Sequence, residues 1–282
     1  LFRSLVPRNL VRNYLGGSDQ LVGTRRSIIK FKTELAGAGT AGDAPAWGKL
    51  LRCCGFSQTL VTTGSFKRAY YTPVSGSFET GAFRFIRDGV RYFSKGAVGT
   101  VALDMTSYQI PMLDWTFWGF DTAAAEVDDP TPSYSAYQRP LVITDANSGD
   151  IRLGGTFENG NIADGTVYKS RGLTLDVGNK LAHVKLLGGE SIDITDREVT
   201  GEFTVDMTEA AEVQWRTDIN DHVYTTMGFS IGTAAGQKVR VWAPNVQRVN
   251  PQAVDYEGRV LIKSELRLLP SSGNDELVIV VA

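Results

Sequence analysis

Polar and apolar residues alternate along much of this chain. Across residues 197–207, Val199, Phe203, Val205 and Met207 fall on one side, and Glu198, Thr200, Glu202, Thr204 and Asp206 on the other. Across residues 259–268, Val260, Ile262, Leu266 and Leu268 oppose Arg259, Lys263, Glu265 and Arg267. A period of two places successive side chains on opposite faces of a strand, so one face packs on a core and the other meets water or a polar cavity. Further strands are expected at residues 90–93, 113–120 and 239–242. Two stretches read as helices. Residues 45–54 open on Pro45, which a first helical turn tolerates. Residues 208–216 open on Thr208 as N-cap, with Glu209 and Glu212 at the positive end of the helix. The pattern predicts about fifteen short strands and two helices, an antiparallel, mainly β chain.

The elements recur. Leu15-Gly16-Gly17, Arg25 and residues 31–35 match Leu187-Gly188-Gly189, Arg197 and residues 203–207 at one constant offset. Residues 1–5 align with 173–177, the two helices follow, and residues 90–93 match 239–242 at a shorter offset. Element order carries this repeat more than identity does. Residues 126–135, with Asp128, Asp129, Pro130 and Pro132, read as a connector. The expected organisation is therefore two tandem β-sandwich or barrel domains, residues 1–127 and 139–282, each with one flanking helix, joined by a linker at 128–138. Residues 139–172 precede the second copy of the first strand, and the chain shows no initiator Met, so a further N-terminal segment of about thirty residues is expected.

Composition narrows the function classes. A net charge of −2 over 282 residues gives no global basic field for nucleic acid. No apolar run approaches the length of a membrane-spanning helix. Cys53 and Cys54 are adjacent, which suits two buried thiols better than a disulfide. Gly37-Ala38-Gly39-Thr40-Ala41-Gly42 matches GxGxxG, but Arg26, Lys30, Lys32 and Glu34 interrupt the strand before it. No acid stands at the ribose distance after it, so it reads as a flexible loop. His183 and His222 form no catalytic constellation and read as surface residues, and Asp193-Ile194-Thr195-Asp196 lacks the glycine and terminal Glu of a calcium loop. No catalytic, metal or cofactor residue is expected, and the chain is read as not an enzyme. Trp115 and Phe117 share the Leu113 face and read as core, whereas Trp118 lies opposite, with Asp114 and Thr116, as a contact or sugar-stacking surface.

The strings LGGSDQLVG, ELAGAGTAGDAPAWGKLLRCCGF, YYTPVS, RDGVRYFSKGAVGTVALDM, IPMLDWTFWGF, GGESIDITDREVTGEF and LPSSGNDELVIVV, in this order and over nearly the whole chain, resemble the tail tube (major tail) proteins of long-tailed bacteriophages of the siphophage type. The resemblance implies β-sandwiches flanked by a helix and joined into stacked rings. Most such rings are hexamers in which each subunit adds four strands to an inner barrel. With two such folds per chain, three chains make a pseudo-sixfold ring, a homotrimer. The resemblance further implies a virion tail component assembled in the host cytoplasm, with a tape measure protein and a tail terminator as partners and DNA in transient passage. Loops 37–44 and 62–77 are expected to bridge rings, with Gly37, Gly39, Gly42 and Trp118 as subunit contacts. The expected lumen residues are Asp104, Thr106, Asp114 and Thr116 in the first half, and Glu198, Thr200, Glu202 and Asp206 in the second. The competing reading is a carbohydrate-binding β-sandwich module that uses Trp118 or Trp242.

Overall fold

The computed structural model describes residues 2–8 and 10–282. Among these, twenty strands and two helices follow in order. The first half contains β1 (Phe2–Pro7), β2 (Gln20–Glu34), α1 (Gly48–Arg52), β3 (Phe56–Val61), β4 (Arg68–Pro73), β5 (Gly81–Arg87), β6 (Val90–Thr106), β7 (Met112–Asp121) and β8 (Ala125–Glu126). The short strands β9 (Ile151–Leu153), β10 (Thr156–Glu158), β11 (Asn161–Ala163) and β12 (Thr166–Tyr168) come next. Then follow β13 (Ser170–Asp176), β14 (Asn179–Leu186), β15 (Gly189–Arg197), β16 (Thr200–Val205), α2 (Glu209–Asn220), β17 (Thr225–Ile231), β18 (Val239–Tyr256), β19 (Arg259–Leu269) and β20 (Val278–Val281). The fold is mainly β, as the alternation predicts, with more strands than expected and with β2, β6 and β18 far longer than the short strands anticipated.

One antiparallel sheet runs through both halves. Its main path is β1-β2-β7-β6-β13-β16-β19-β18-β17-β9-β12. The first long strand of the later half, β13, pairs with β6 on one side and β16 on the other. The last strand, β20, pairs with β18 and also with β4 of the first half. Both joints share backbone hydrogen bonds between the halves, so neither half closes its sheet alone.

Alternation fixes the core. In β6 and β7, Val101, Leu103, Met105, Leu113, Trp115 and Phe117 are buried on one face. In β13 and β16, Leu173, Leu175, Phe203 and Val205 are buried on the same side. The helices and the β3–β4 pair cover that face. Trp47, just before α1, donates its indole N–H to the Ala36 carbonyl at 2.8 Å. Trp215 of α2 lies edge-on to Phe203 and Tyr168.

Three local readings change. The first helix spans only Gly48–Arg52, flanked by turns, and Gly55, at φ +78°, turns the chain from it into β3. Val260 is 65% exposed rather than inward-facing, because the β18–β19 hairpin projects past the core at that end. The strand at the start of the chain is not the counterpart of residues 173–177. Leu1 lies outside the described residues, and β1 pairs with residues 20–26 of β2, which match 192–198 by the constant offset, so β1 stands to β2 as β14 stands to β15.

Candidate functional surface

The second face of the long strands is polar, and register builds it row by row. Residues directly opposite each other in an antiparallel pair share a face. One row runs Lys32, Asp114, Ala102, Asp176, Thr200, Arg267, Gln247 across seven strands. The adjacent row runs Glu34, Met112, Asp104, Thr174, Glu202, Glu265, Val249. Thr116 lies between Lys30 and Thr100 in a third row. Thr106 follows Asp104 on the same side, and its hydroxyl donates to Asp104 Oδ1 at 2.6 Å. Glu198 and Asp206 flank β16 and reach the same face through Arg267 and Arg259. The structure thus brings the eight charged and hydroxyl candidates together on one side of one sheet.

The charges on this face are cross-braced. Lys32 Nζ lies 3.2 Å from Asp114, Lys263 Nζ 2.8 Å from Glu202, Arg267 Nη1 2.9 Å from Glu198, and Arg259 Nη2 3.5 Å from Asp206. Each such solvated pair contributes at most about 1 kcal/mol, so the backbone ladder, not the ion pairs, holds the face in place. Two carboxylates are used differently. Asp104 accepts from the Thr106 amide, and Asp176 accepts from the Gly178 amide at 2.8 Å. Both leave their charge on the surface. Thr174, Asp176 and Lys32 were not among the expected residues. Their signal was present in the short alternation Leu173, Thr174, Leu175, Asp176, but only pairing to β6 and β16 brings β13 into the middle of the face.

The remaining candidates have partners within the chain. Arg26 places its guanidinium 3.8 Å over the Trp118 ring, and Trp118 packs against Val98, Ile192 and Ile194. Trp242 is buried and stacked on Phe157 at 5.3 Å. The loop of Gly37, Gly39 and Gly42 lies against the turn at Gly236. A Cβ on Gly37 would come within 2.2 Å of the Gly236 carbonyl oxygen, and Gly39, at φ +83°, donates its N–H to that oxygen at 2.8 Å. This loop therefore fastens the first half to the second.

The reactive groups are quiet. Cys53 and Cys54 are free and buried, and burial pushes both thiols up, Cys54 the further. His222 sits on an exposed turn. His183 differs from its expected surface position: its side chain is 2% exposed, beside Glu190 and edge-on to Phe120, because the β14–β15 hairpin lies over the end of β7. Among the described residues, no group of His, Cys, Asp or Glu is arranged to hold a metal ion, and no helix is long and apolar enough to cross a membrane.

Among the described residues, the continuous sheet has one braced polar face, an apolar face covered by helices, and stretches of β2 and β18 with a strand on one edge only, an arrangement that suits a structural assembly protein. The model of the family described as phage tail tube protein matches residues 3–262, and the chain belongs to that family. No curated protein gives a match to the chain. The family is structural, and membership makes this chain a component of the virion tail that self-assembles into a tube.

Proposed function

We propose that the chain carries two tube folds, residues 1–127 and 139–282 with a linker at 128–138, and that three copies close into a pseudo-sixfold ring. Such rings stack into the tail tube of a siphophage-type virion and conduct DNA during ejection. The observation that carries this reading is the strand order β2-β7-β6 followed, after β13, by β16-β19-β18. Each triplet begins with the strand that precedes its helix, β2 or β16, and ends on a long later strand, β6 or β18, whose hairpin partner, β7 or β19, lies between them. Residues 27–34 of β2 and 247–256 of β18 each have a strand on one edge only, among the described residues. A sheet with two such ends is completed by closing on further copies, which removes the exposed edges. The protein acts without catalysis, assembles in the host cytoplasm, and meets a tape measure protein inside the tube and a terminator at its end.

The polar face is the proposed wall of the bore. Sliding DNA requires weak, non-specific contact, and cations held near phosphates make strong salt-dependent adhesion. The ion pairs neutralise Lys32, Arg259, Lys263 and Arg267, and Glu34, Asp104, Asp176 and Glu265 outnumber the remaining cation, Lys30, and leave a negative excess. Lysine at Glu202 or Asp206 would stand beside Lys263 or Arg259 and disturb the sheet itself. Asp104→Lys and Thr116→Lys change the face without breaking an ion pair. Electron microscopy and native mass of the purified chain should give rings of three copies. A sixfold ring of whole chains refutes the duplication. In assembled virions both lysine variants should slow ejection, and ejection at the normal rate removes these side chains from the bore.

A further inference from the structure

The chain holds two hairpin arms of matching sequence and opposite fate. Each has an exposed Leu-Gly-Gly at its turn, Leu15-Gly16-Gly17 in one and Leu187-Gly188-Gly189 in the other. In the β14–β15 arm, Leu181 pairs directly with Ile194. Ile192 and Ile194 are 5% and 8% exposed, packed with Leu181 against Val98, Trp118 and Phe78 of the first half. Phe78 lies just before β5, the strand that pairs with residues 90–97 at the start of β6. This arm therefore clamps the later half onto the earlier one.

The β1–β2 arm repeats the device without a clamp. Leu5 pairs directly with Val22, and Val22 matches Ile194 at the constant offset. Here the pair is 52% and 50% exposed. The receptor side is also repeated. Val223 and Tyr224 lie just before β17, which covers the start of β18 as β5 covers the start of β6. They are 46% and 51% exposed. Beyond Val246 the edge of β18 carries no strand, among the described residues.

Strand direction fits the same partner. All pairings in the main sheet are antiparallel, so β2, β6, β16 and β18 run one way and β1, β7, β13 and β19 the other. Within the chain, β13 joins β6 to β16, antiparallel to both. Between copies the directions match as well: β18 of one chain and β2 of the next run the same way, as β6 and β16 do within the chain.

We propose that the β1–β2 arm docks on a second copy of this chain, with Leu5 and Val22 against its Val223-Tyr224 turn, beside the start of its β18. The occupant is a second copy because the chain already shows the same arm seated on the same kind of turn. No single chain can seat its own first arm this way, since the matching turn lies at the far end of its sheet. The proposal rests on the ring reading and adds to it the residues that close the ring.

Cysteine pairing on the full chain tests it. Val22→Cys and Tyr224→Cys are made in separate chains; Cys53 and Cys54 are buried and do not compete. Mixed and oxidised, the two variants should give a disulfide-linked dimer, and the doubly substituted chain a covalently closed ring. In parallel, the double variant Leu5→Glu, Val22→Glu should keep the circular dichroism of the monomer, because both side chains are half in water, while assembly weakens by about tenfold or more as two apolar side chains lose their seat. Rings that form without the disulfide, or that form equally well from the glutamate variant, overturn the arm and leave the ring reading standing. An unsubstituted chain that forms no ring or tube overturns both.

Discussion

The two halves of the sheet present nearly the same polar face over differently built cores. In the first half the apolar face is an aromatic stack. Phe31, Phe83, Trp115 and Phe117 lie with ring centroids 4.6–6.3 Å apart. Its helix is five residues long and has no side-chain N-cap. In the second half the core under α2 is thinner in aromatics and more polar at its margin. Arg248 is buried with its guanidinium 4.6 Å from the Trp215 ring and 2.9 Å from Asp218. The helix there is twelve residues long and capped by Thr208, whose hydroxyl accepts from the Ala211 amide at 3.3 Å. The difference teaches that the polar face, the proposed wall of the bore, is constrained by register, whereas the buried side needs only to be filled. Volume and apolarity tolerate many solutions; a row of paired residues across seven strands does not.

Breaking each core separately is the strongest test of this comparison. Phe117→Ala and Phe203→Ala should each cost about 3–5 kcal/mol, since both rings are fully enclosed. Because β13 and β20 pair across the halves, both variants should lower the midpoint of one common urea transition. Two separate transitions would mean that the halves fold as independent units.

A smaller loss is expected at the ion pair between the later arm and the C-terminal loop. Arg197 Nε lies 2.5 Å from Glu276 Oε1, and both side chains are nearly enclosed, at 11% and 9% exposure. Glu276→Gln leaves the guanidinium short of its charge partner and should destabilise by about 3 kcal/mol, read from the same urea midpoint. An unchanged midpoint would show that the pair adds nothing to the seating of the later arm on the C-terminal loop.

Next comes Asp218, which has no counterpart in the first half. Burial opposes ionisation of its carboxyl, but hydrogen bonds from Gln214 and Arg248 and the Arg248 charge outweigh it and hold the group below its ordinary value. A carboxyl held lower in the folded state adds stability above its unfolded value, near 3.9, and loses it as pH falls through the folded value. Asp218→Asn should therefore cost about 1–2 kcal/mol at neutral pH, and the gap to the parent should shrink on acidification. A gap that stays constant with pH would assign the loss to packing. The smallest effect is Thr208→Ala, about 1 kcal/mol from the lost cap, measured by thermal unfolding. No loss there would show that α2 is held by Trp215 and Arg248 alone.

The alternation of residues 197–207 fixed in advance which side chains would be buried, and placed Glu202 and Thr200 opposite Phe203. Thr208 was legible as a cap because an N-cap acts within one helical turn. The two Leu-Gly-Gly turns and the arms that carry them were legible as a repeat. These are local signals, set by backbone period and by neighbours a few residues apart. Tertiary structure alone decided the rest. It set β13 between β6 and β16, placed Asp176 and Thr174 at the centre of the polar face, folded the second arm over Trp118, and pressed Gly37 against Gly236. Each of these depends on which strand edges meet, and edge pairing is selected by the summed fit of whole strands rather than by any residue that a short window contains. The same physics separates the arms: Ile194 and Val22 are equivalent in sequence, and only the presence of a preceding half makes one buried and leaves the other exposed.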